Sequence, residues 1–374
     1  MRGRNICVVN DLTVDEQKIL YRTASDMKRN LSKGIFPPSS ERKCAYLMFF
    51  EDSTRTKESF RNAAATLDFR VNVFDASSSS INKFETIGDT VRMLCGYTCM
   101  PTVFVIRSKI EGLCRALADS MTEYAHRVGI PCPTFVNAGD GRHEHPTQEF
   151  LDEFSFLEVL NGSHDKIHIA LVGDLLLGRT VHSKADGLRV FNSVHVDLVA
   201  PPELALPANY LRRMKKHGFI IRHFDSLDEY LSDSKVAPIM YFTRLQLERM
   251  EPDLVAKESE LRAATSLRTD MKLPEGCKLF HPLPRHGMFP EIPFEFDKTC
   301  FNGYDEQSRN GYFVRTALLD LLLSGTTQGA IHSAAVSSKD RTCENTSCVS
   351  HPSTGQRDVH PSFISDETCR FCEQ

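Results

Sequence analysis

Within four residues, Ser53-Thr54-Arg55-Thr56 supply three hydroxyls and a guanidinium, donors whose geometry suits the oxygens of a phosphate. The apolar run before them, residues 44–50, has the length of a buried strand. Phe60, Ala63, Ala64 and Leu67 after them recur at helical spacing. The polar quartet therefore opens a helix, where unpaired backbone N–H groups attract anions. Capping alone would also place Ser or Thr there. No glycine-rich loop ends in Gly-Lys-Ser/Thr, so this is not the usual nucleotide cradle. The buried strand in front and the Arg within the turn favour a phosphate pocket.

Five further clusters repeat the design of a polar group at a strand end. Arg107 follows an apolar strand at 102–106. Asn137-Ala138-Gly139-Asp140-Gly141 leads to His145-Pro146-Thr147-Gln148, with Pro146 at a favoured first helical position and His145 and Gln148 able to face one pocket. Gly173-Asp174-Leu175-Leu176-Leu177-Gly178-Arg179-Thr180 lacks the three-glycine spacing of a dinucleotide fingerprint but puts Arg179 at a helix mouth. Thr243-Arg244-Leu245-Gln246 brings another cation, and His281-Pro282-Leu283-Pro284-Arg285 is a stiff turn whose carbonyls can accept from a ligand. Each cluster alone is also compatible with a cap or a solvated side chain. Together they describe a cleft rich in Arg, His and hydroxyls and poor in carboxylates, suited to substrates with several negative charges. No nucleophile–base pair stands out, so catalysis would rest on orientation and on stabilising developing charge.

The elements that must position these groups alternate. Strands are expected at 70–74, 102–106 and 134–137, with helices at 85–94, 116–127 and 146–160. A capping box at Thr13–Glu16 starts an earlier helix carrying Ile19, Leu20, Thr23, Ala24 and Met27 on one face. After a break at Asn161-Gly162-Ser163-His164-Asp165, a second set follows: strands at 167–172, 194–199, 219–221 and 238–242, helices from Gly178 and at 208–216, and a last helix at 312–323. Such alternation predicts an α/β fold of two doubly wound parallel-sheet domains, residues 1–155 and 156–323, with an active-site cleft between them. A linker at 324–342 and a small module at 343–374 complete the division.

The 374 residues are 41% hydrophobic and 25% charged, with a formal net charge of −4. That balance gives no global attraction to nucleic acid or anionic membranes, so an anion site must be a local cluster. The N-terminus lacks a secretory core and no apolar run reaches spanning length, which makes the cytoplasm the expected compartment. Eight of the twelve cysteines are scattered, several in apolar contexts, as small buried hydrophobes of a reducing compartment. The other four form C-x4-C and C-x2-C knuckles, Cys343/Cys348 and Cys369/Cys372. Four thiolates so spaced can enclose a structural zinc tetrahedrally.

In this order, Phe-Phe-Glu-x-Ser-Thr-Arg-Thr, His-Pro-Thr-Gln, Gly-Asp-x-x-x-Gly-Arg-Thr, Thr-Arg-x-Gln and His-Pro-Leu-Pro-Arg resemble the aspartate carbamoyltransferase family across residues 5–325. The resemblance implies that Ser53, Thr54, Arg55 and Thr56, with Arg107, hold the phosphate of carbamoyl phosphate. Thr56, Arg107 and His145 would reach its carbonyl oxygen. Gln148 and the backbone oxygens of Leu283 and Pro284 would hold its amino group, and Arg179, Arg244 and Gln246 the carboxylates of L-aspartate. Glu51 would pair with Arg179 and Arg249. The family also implies a homotrimer with shared active sites, in which a neighbouring subunit supplies a serine, here Ser79 or Ser80, and Lys83. Phe84 stands where relatives usually have glycine. The tail is similar to the zinc domain of the same enzyme's regulatory chain, without room before Cys343 for an effector domain. That implies a fused zinc module supporting higher assembly. Within the family the alternative is another acceptor amino acid such as ornithine; outside it, a catalytically silent zinc-bearing scaffold.

Overall fold

The computed structural model describes residues 1–38, 41–75, 85–324, 336–337, 341–356, 358–365 and 368–374. Two compact units divide it. The first comprises Met1–Phe150 and Gly311–Gln374, the second Leu151–Asn310. By this division the first unit breaks off at 150 where 155 was expected, and the cysteine module and the last helix from Gly311 onward group with it, while the start of that helix (Tyr304–Leu323) groups with the second unit.

The first unit is built on strands β1 (Cys44–Phe49), β2 (Arg70–Phe74), β3 (Thr102–Ser108) and β4 (Thr134–Asp140), parallel throughout in the order β2-β1-β3-β4. Every residue of β3 and β4 is buried; a strand covered on both faces shows a continuous apolar run and no alternation. Helices α1 (Val14–Leu31), α2 (Thr54–Thr66), α3 (Ile87–Gly96) and α4 (Leu113–Val128) connect or flank them, as does the first turn of α5 (Pro146–Val159), whose remainder from Leu151 belongs to the second unit. The capping box of α1 forms as expected, with Glu16 N–H donating to Thr13 Oγ1 at 3.2 Å and Thr13 N–H to Glu16 Oε2 at 2.9 Å. Its buried face differs from the expected one. Glu16, Gln17, Leu20, Tyr21 and Ala24 are buried while Ile19 is exposed, because Glu16 turns inward towards Arg4, 3.5 Å away.

The cysteine-bearing tail shares one apolar cluster with α3 and α4, in which Val349, Phe363 and Phe371 pack with Ile87, Val91, Leu113 and Leu117. A parallel bridge pairs Glu111 with Cys348, and the short strands β10 (Val336–Ser337), β11 (Ser362–Ser365) and β12 (Thr368–Cys369) form an antiparallel sheet. The fit is close at Gly112, φ +76°, where an added Cβ would lie 2.5 Å from the Phe371 carbonyl oxygen. A tail with so little apolar residue needs such support.

In the second unit, β5 (Lys166–Gly173), β6 (Ser193–Val199), β7 (Ile220–Phe224), β8 (Ile239–Thr243) and β9 (Lys278–Phe280) form a parallel sheet in the order β7-β6-β5-β8-β9. The helix expected from Gly178 is broken into Arg179–His182, Lys184–Gly187 and a 3-10 turn, Leu188–Val190. Lys184 is fully buried there, bonded to Asp152 at 2.8 Å and 4.0 Å from the Tyr241 ring centroid; a desolvated ammonium requires such partners. Among the described residues no helix is long and apolar enough to cross a membrane.

Candidate active site

The order of each sheet locates its binding edge. In the first unit the chain leaves β1 for β2 on one side, then crosses to β3 on the other, so the topological switch point lies between β1 and β3. Loops from the carboxyl ends of parallel strands part there and leave a crevice. The register places Phe49 beside Arg107 and Ile106 beside Asn137, which brings the ends of β1, β3 and β4 to one edge. Helix α2 opens at that edge with Ser53 as N-cap, and the Ser53 hydroxyl makes no capping bond. Ordinary capping therefore does not account for it.

The other donors gather at the same edge. Thr56 Oγ1 and His145 Nε2 are 3.5 Å apart and buried. Arg107 donates from Nη1 to the Ala138 carbonyl at 3.0 Å, and its Nη2 lies 3.4 Å from Glu51 Oε2. Gln148 is one turn into α5 from His145. Arg55 is exposed and has no carboxylate partner among the described residues; partial desolvation of its guanidinium lowers its pKa. The first unit thus brings together Ser53, Thr54, Arg55, Thr56, Arg107, His145 and Gln148. Ser79, Ser80, Lys83 and Phe84 lie outside the described residues.

Asp140, quoted above only as part of a turn, organises the loop that carries His145. It accepts from Gly112 N–H at 2.8 Å, Asn137 Nδ2 at 2.9 Å, His143 Nδ1 at 3.0 Å and Glu144 N–H at 3.1 Å. Gly141, φ +48°, is required because a Cβ would meet the Glu111 side chain at 2.5 Å.

The second unit repeats the plan. Its switch point lies between β5 and β8, whose ends carry Arg179 on one side and Arg244 and Gln246 on the other. Buried Asp174 ties the two loops together, accepting from Leu177 N–H at 2.8 Å and from Gln246 N–H at 3.1 Å. Burial raises its pKa while those N–H bonds oppose the shift. Gly173, φ +114°, passes so close to β8 that a Cβ would lie 2.4 Å from the Thr243 carbonyl oxygen. In the stiff turn, His281 Nδ1 accepts from Leu283 N–H at 2.8 Å, Arg285 bonds the Ile292 carbonyl at 3.1 Å, and Leu283–Pro284 is cis. Carboxylates are commoner among these groups than expected: Arg244 Nη1 donates to Glu248 at 3.1 Å, as Glu51 faces Arg107. An arginine cluster without counter-charges would repel itself, and such pairs also hold each fork in place.

Cys343, Cys348, Cys369 and Cys372 are buried with their sulfurs within 4.8 Å of one another. The Cys343–Cys372 and Cys348–Cys369 sulfurs are 3.6 and 3.8 Å apart. A tetrahedron with metal–sulfur bonds of about 2.3 Å has edges of about 3.8 Å, so the four can hold zinc. Contacts among the thiols push Cys343 and Cys369 down and Cys348 and Cys372 up. Among the scattered cysteines, Cys7, Cys44, Cys95, Cys114 and Cys277 are buried as expected, whereas Cys99, Cys132 and Cys300 are exposed.

Fold and site together define a two-domain α/β protein whose switch points are furnished for anionic ligands. The profile described as "Aspartate/ornithine carbamoyltransferase, carbamoyl-P binding domain" matches residues 4–158. A structure of aspartate transcarbamoylase from Trypanosoma cruzi, in complex with N-(phosphonacetyl)-L-aspartic acid, is 32% identical with a TM-score of 0.74, covering 86% of this chain and 97% of that one. Another, in complex with carbamoyl phosphate and aspartate, is 32% identical with a TM-score of 0.73, covering 86% and 98%. The protein PyrBI of Thermotoga maritima is 49% identical over 328 residues, and that of Treponema denticola 48% over 329, spanning 85% and 86% of this chain. The chain belongs to the aspartate carbamoyltransferase family. It spans 62% and 61% of the length of those two PyrBI relatives.

Proposed function

We propose that the chain transfers the carbamoyl group of carbamoyl phosphate to the amine of L-aspartate, giving N-carbamoyl-L-aspartate and phosphate. The observation that carries this reading is the gathering of the α2 N-terminus, Arg107 and the Thr56–His145 pair at one switch point. The helix start, the hydroxyls of Ser53, Thr54 and Thr56, and the Arg55 guanidinium take the phosphate oxygens. Thr56, Arg107 and His145 donate to the carbonyl oxygen. As the amine nitrogen bonds to the carbonyl carbon, negative charge grows on that oxygen, and donors already aimed at it stabilise the transition state without reorganising. The bond from carbon to the bridging phosphate oxygen then breaks, and phosphate leaves with the proton lost by the amine. Gln148 and the carbonyls of Leu283 and Pro284 orient the carbamoyl NH2 group. Arg179, Arg244 and Gln246 take the aspartate carboxylates, so Arg244 exchanges Glu248 for substrate.

The same reading assigns residues 343–374 as one module, with Cys343, Cys348, Cys369 and Cys372 holding a structural zinc that supplies rigidity and takes no part in the chemistry. It assigns a homotrimer in which a neighbour's Ser79 or Ser80 and Lys83 complete each site, and a cytoplasmic location. Support for the transfer reaction comes from the PyrBI relatives and from the T. cruzi enzyme, one structure of which is in complex with carbamoyl phosphate and aspartate; the zinc rests on the four grouped sulfurs, and the trimer and the location on the family resemblance alone. The test is a carbamoyl-transfer assay with a panel of acceptor amines, with native mass and zinc content measured on the same preparation. Turnover with L-aspartate, lost in Arg55→Ala while the circular dichroism stays unchanged, is the expected result. Activity with ornithine alone, or with no acceptor, defeats the reading.

A further inference from the structure

The loop that presents His145 is held from two directions. On one side are β3 and the start of α4: Gly141 N–H donates to the Ser108 carbonyl at 3.0 Å and Arg142 N–H to Glu111 Oε1 at 2.9 Å. On the other side is the cysteine module. The imidazole of His143, two residues before His145, is buried with Nδ1 3.0 Å from Asp140 Oδ2 and Nε2 3.9 Å from Oε2 of Glu373, the residue after Cys372. Glu111 continues the link, since its other oxygen accepts from Asn345 Nδ2 at 2.6 Å and lies 3.4 Å from Gln374 Nε2. Burial opposes a charge on His143, but Asp140, Glu373 and Glu144 outweigh it and hold its pKa well above the ordinary histidine value.

We infer that Glu373 is a positioning residue for His145: through His143 and Asp140 it fixes the loop 140–145, so that the cysteine module tunes the centre it is docked beside. The inference rests on the proposed role of His145. Glu373 touches no substrate and acts only on where the His145 ring stands. An imidazole between two carboxylates restrains a loop in a way that one hydrogen bond does not. Small displacements of an oxyanion donor are expensive in rate.

The experiment uses the full zinc-loaded chain and compares Glu373→Gln, Glu373→Asp and His143→Gln with the parent. Steady-state rates, zinc content and the 15N resonances of the His145 ring are measured. Glu373→Gln is expected to lower kcat about tenfold, to leave KM for carbamoyl phosphate within about twofold because the α2 donors are untouched, and to shift the His145 resonances; Glu373→Asp recovers part of kcat. If Glu373→Gln sheds zinc, His143→Gln breaks the same strap from the catalytic side with the module intact and is expected to give the same split. Parent-like kcat and parent-like His145 resonances in a zinc-retaining variant overturn the inference. A parent chain without carbamoyl transfer defeats the proposed function, while the resonances still report whether Glu373 sets the His145 ring.

Discussion

The Nε2 of His145 and the hydroxyl of Thr56 stand 3.5 Å apart, the first residue just ahead of α5 and the second in the first turn of α2. Two elements far apart in sequence thus present donors to one point, where the carbonyl oxygen of a bound carbamoyl group would lie. Removing one donor from such a pair costs about 10²–10³ in kcat in comparable oxyanion sites. His145→Ala is therefore expected to lower kcat by about that factor while carbamoyl phosphate still binds. Calorimetric titration with carbamoyl phosphate checks the second half; unchanged turnover would remove His145 from the mechanism.

In the second unit the decisive group is Asp174, since its two oxygens are the joint between the loops bearing Arg179 and Arg244. Asp174→Ala leaves the Leu177 and Gln246 N–H groups without their acceptor, at a cost of about 1–3 kcal/mol each when buried. The expected result is a clear fall in the urea midpoint together with a KM for L-aspartate raised more than that for carbamoyl phosphate. Equal rises in the two constants would show that the loops do not depend on Asp174.

Much of this architecture was legible in the sequence. Residues 70–74 and 208–216 are a strand and a helix with the expected bounds, and β1, β3, β5 and β6 fall within a few residues of theirs, because apolar runs cut off by turn residues are the signature of buried parallel strands. Four kinds of feature were not legible. Strand β9 is three residues long, too short to show a period. The turns from Arg179 to Val190 follow the packing of buried Lys184 and Asp186, which local spacing does not encode. The work of Asp140 and Asp174 lies in accepting N–H groups from loops brought close only by the fold. The spacing of the four cysteines announced that they would group together, as they do, yet the docking of their module on α3 and α4 depends on surface shape.

If zinc sits among Cys343, Cys348, Cys369 and Cys372, the preparation should hold about one zinc per chain. A chelator strong enough to remove it is expected to make four further thiols reactive and to lower the thermal midpoint by roughly 5–10 °C. The reason is local: these sulfurs belong to the apolar cluster that includes Val91, Leu117 and Phe371, so loosening them opens that seam. A chelated protein with unchanged thiol reactivity would show that the sulfurs need no metal to stay buried.

Asp197 ties the stability of the second unit to pH on the acid side. It accepts from His168 Nε2 at 2.7 Å, from Arg222 Nε at 2.7 Å and Nη2 at 2.8 Å, and from the Tyr230 hydroxyl at 2.9 Å. Burial pushes its pKa up, but the bonds from His168, Arg222 and Tyr230 outweigh burial and hold it below the ordinary aspartate value of 3.8. A carboxylate with a depressed folded-state pKa contributes its stability above the unfolded value and loses it as pH falls through the folded one. Parent and Asp197→Asn should therefore differ by a constant amount, about 2 kcal/mol, from pH 7 down to about 4. Below pH 3.8 the unfolded carboxylate takes up its proton while the folded one still resists, so the difference should shrink until the pH has passed the lower folded value. Urea unfolding at pH 7, 5, 4 and 3 measures it, and a gap that stays the same between pH 4 and 3 would show that Asp197 does not carry this acid sensitivity.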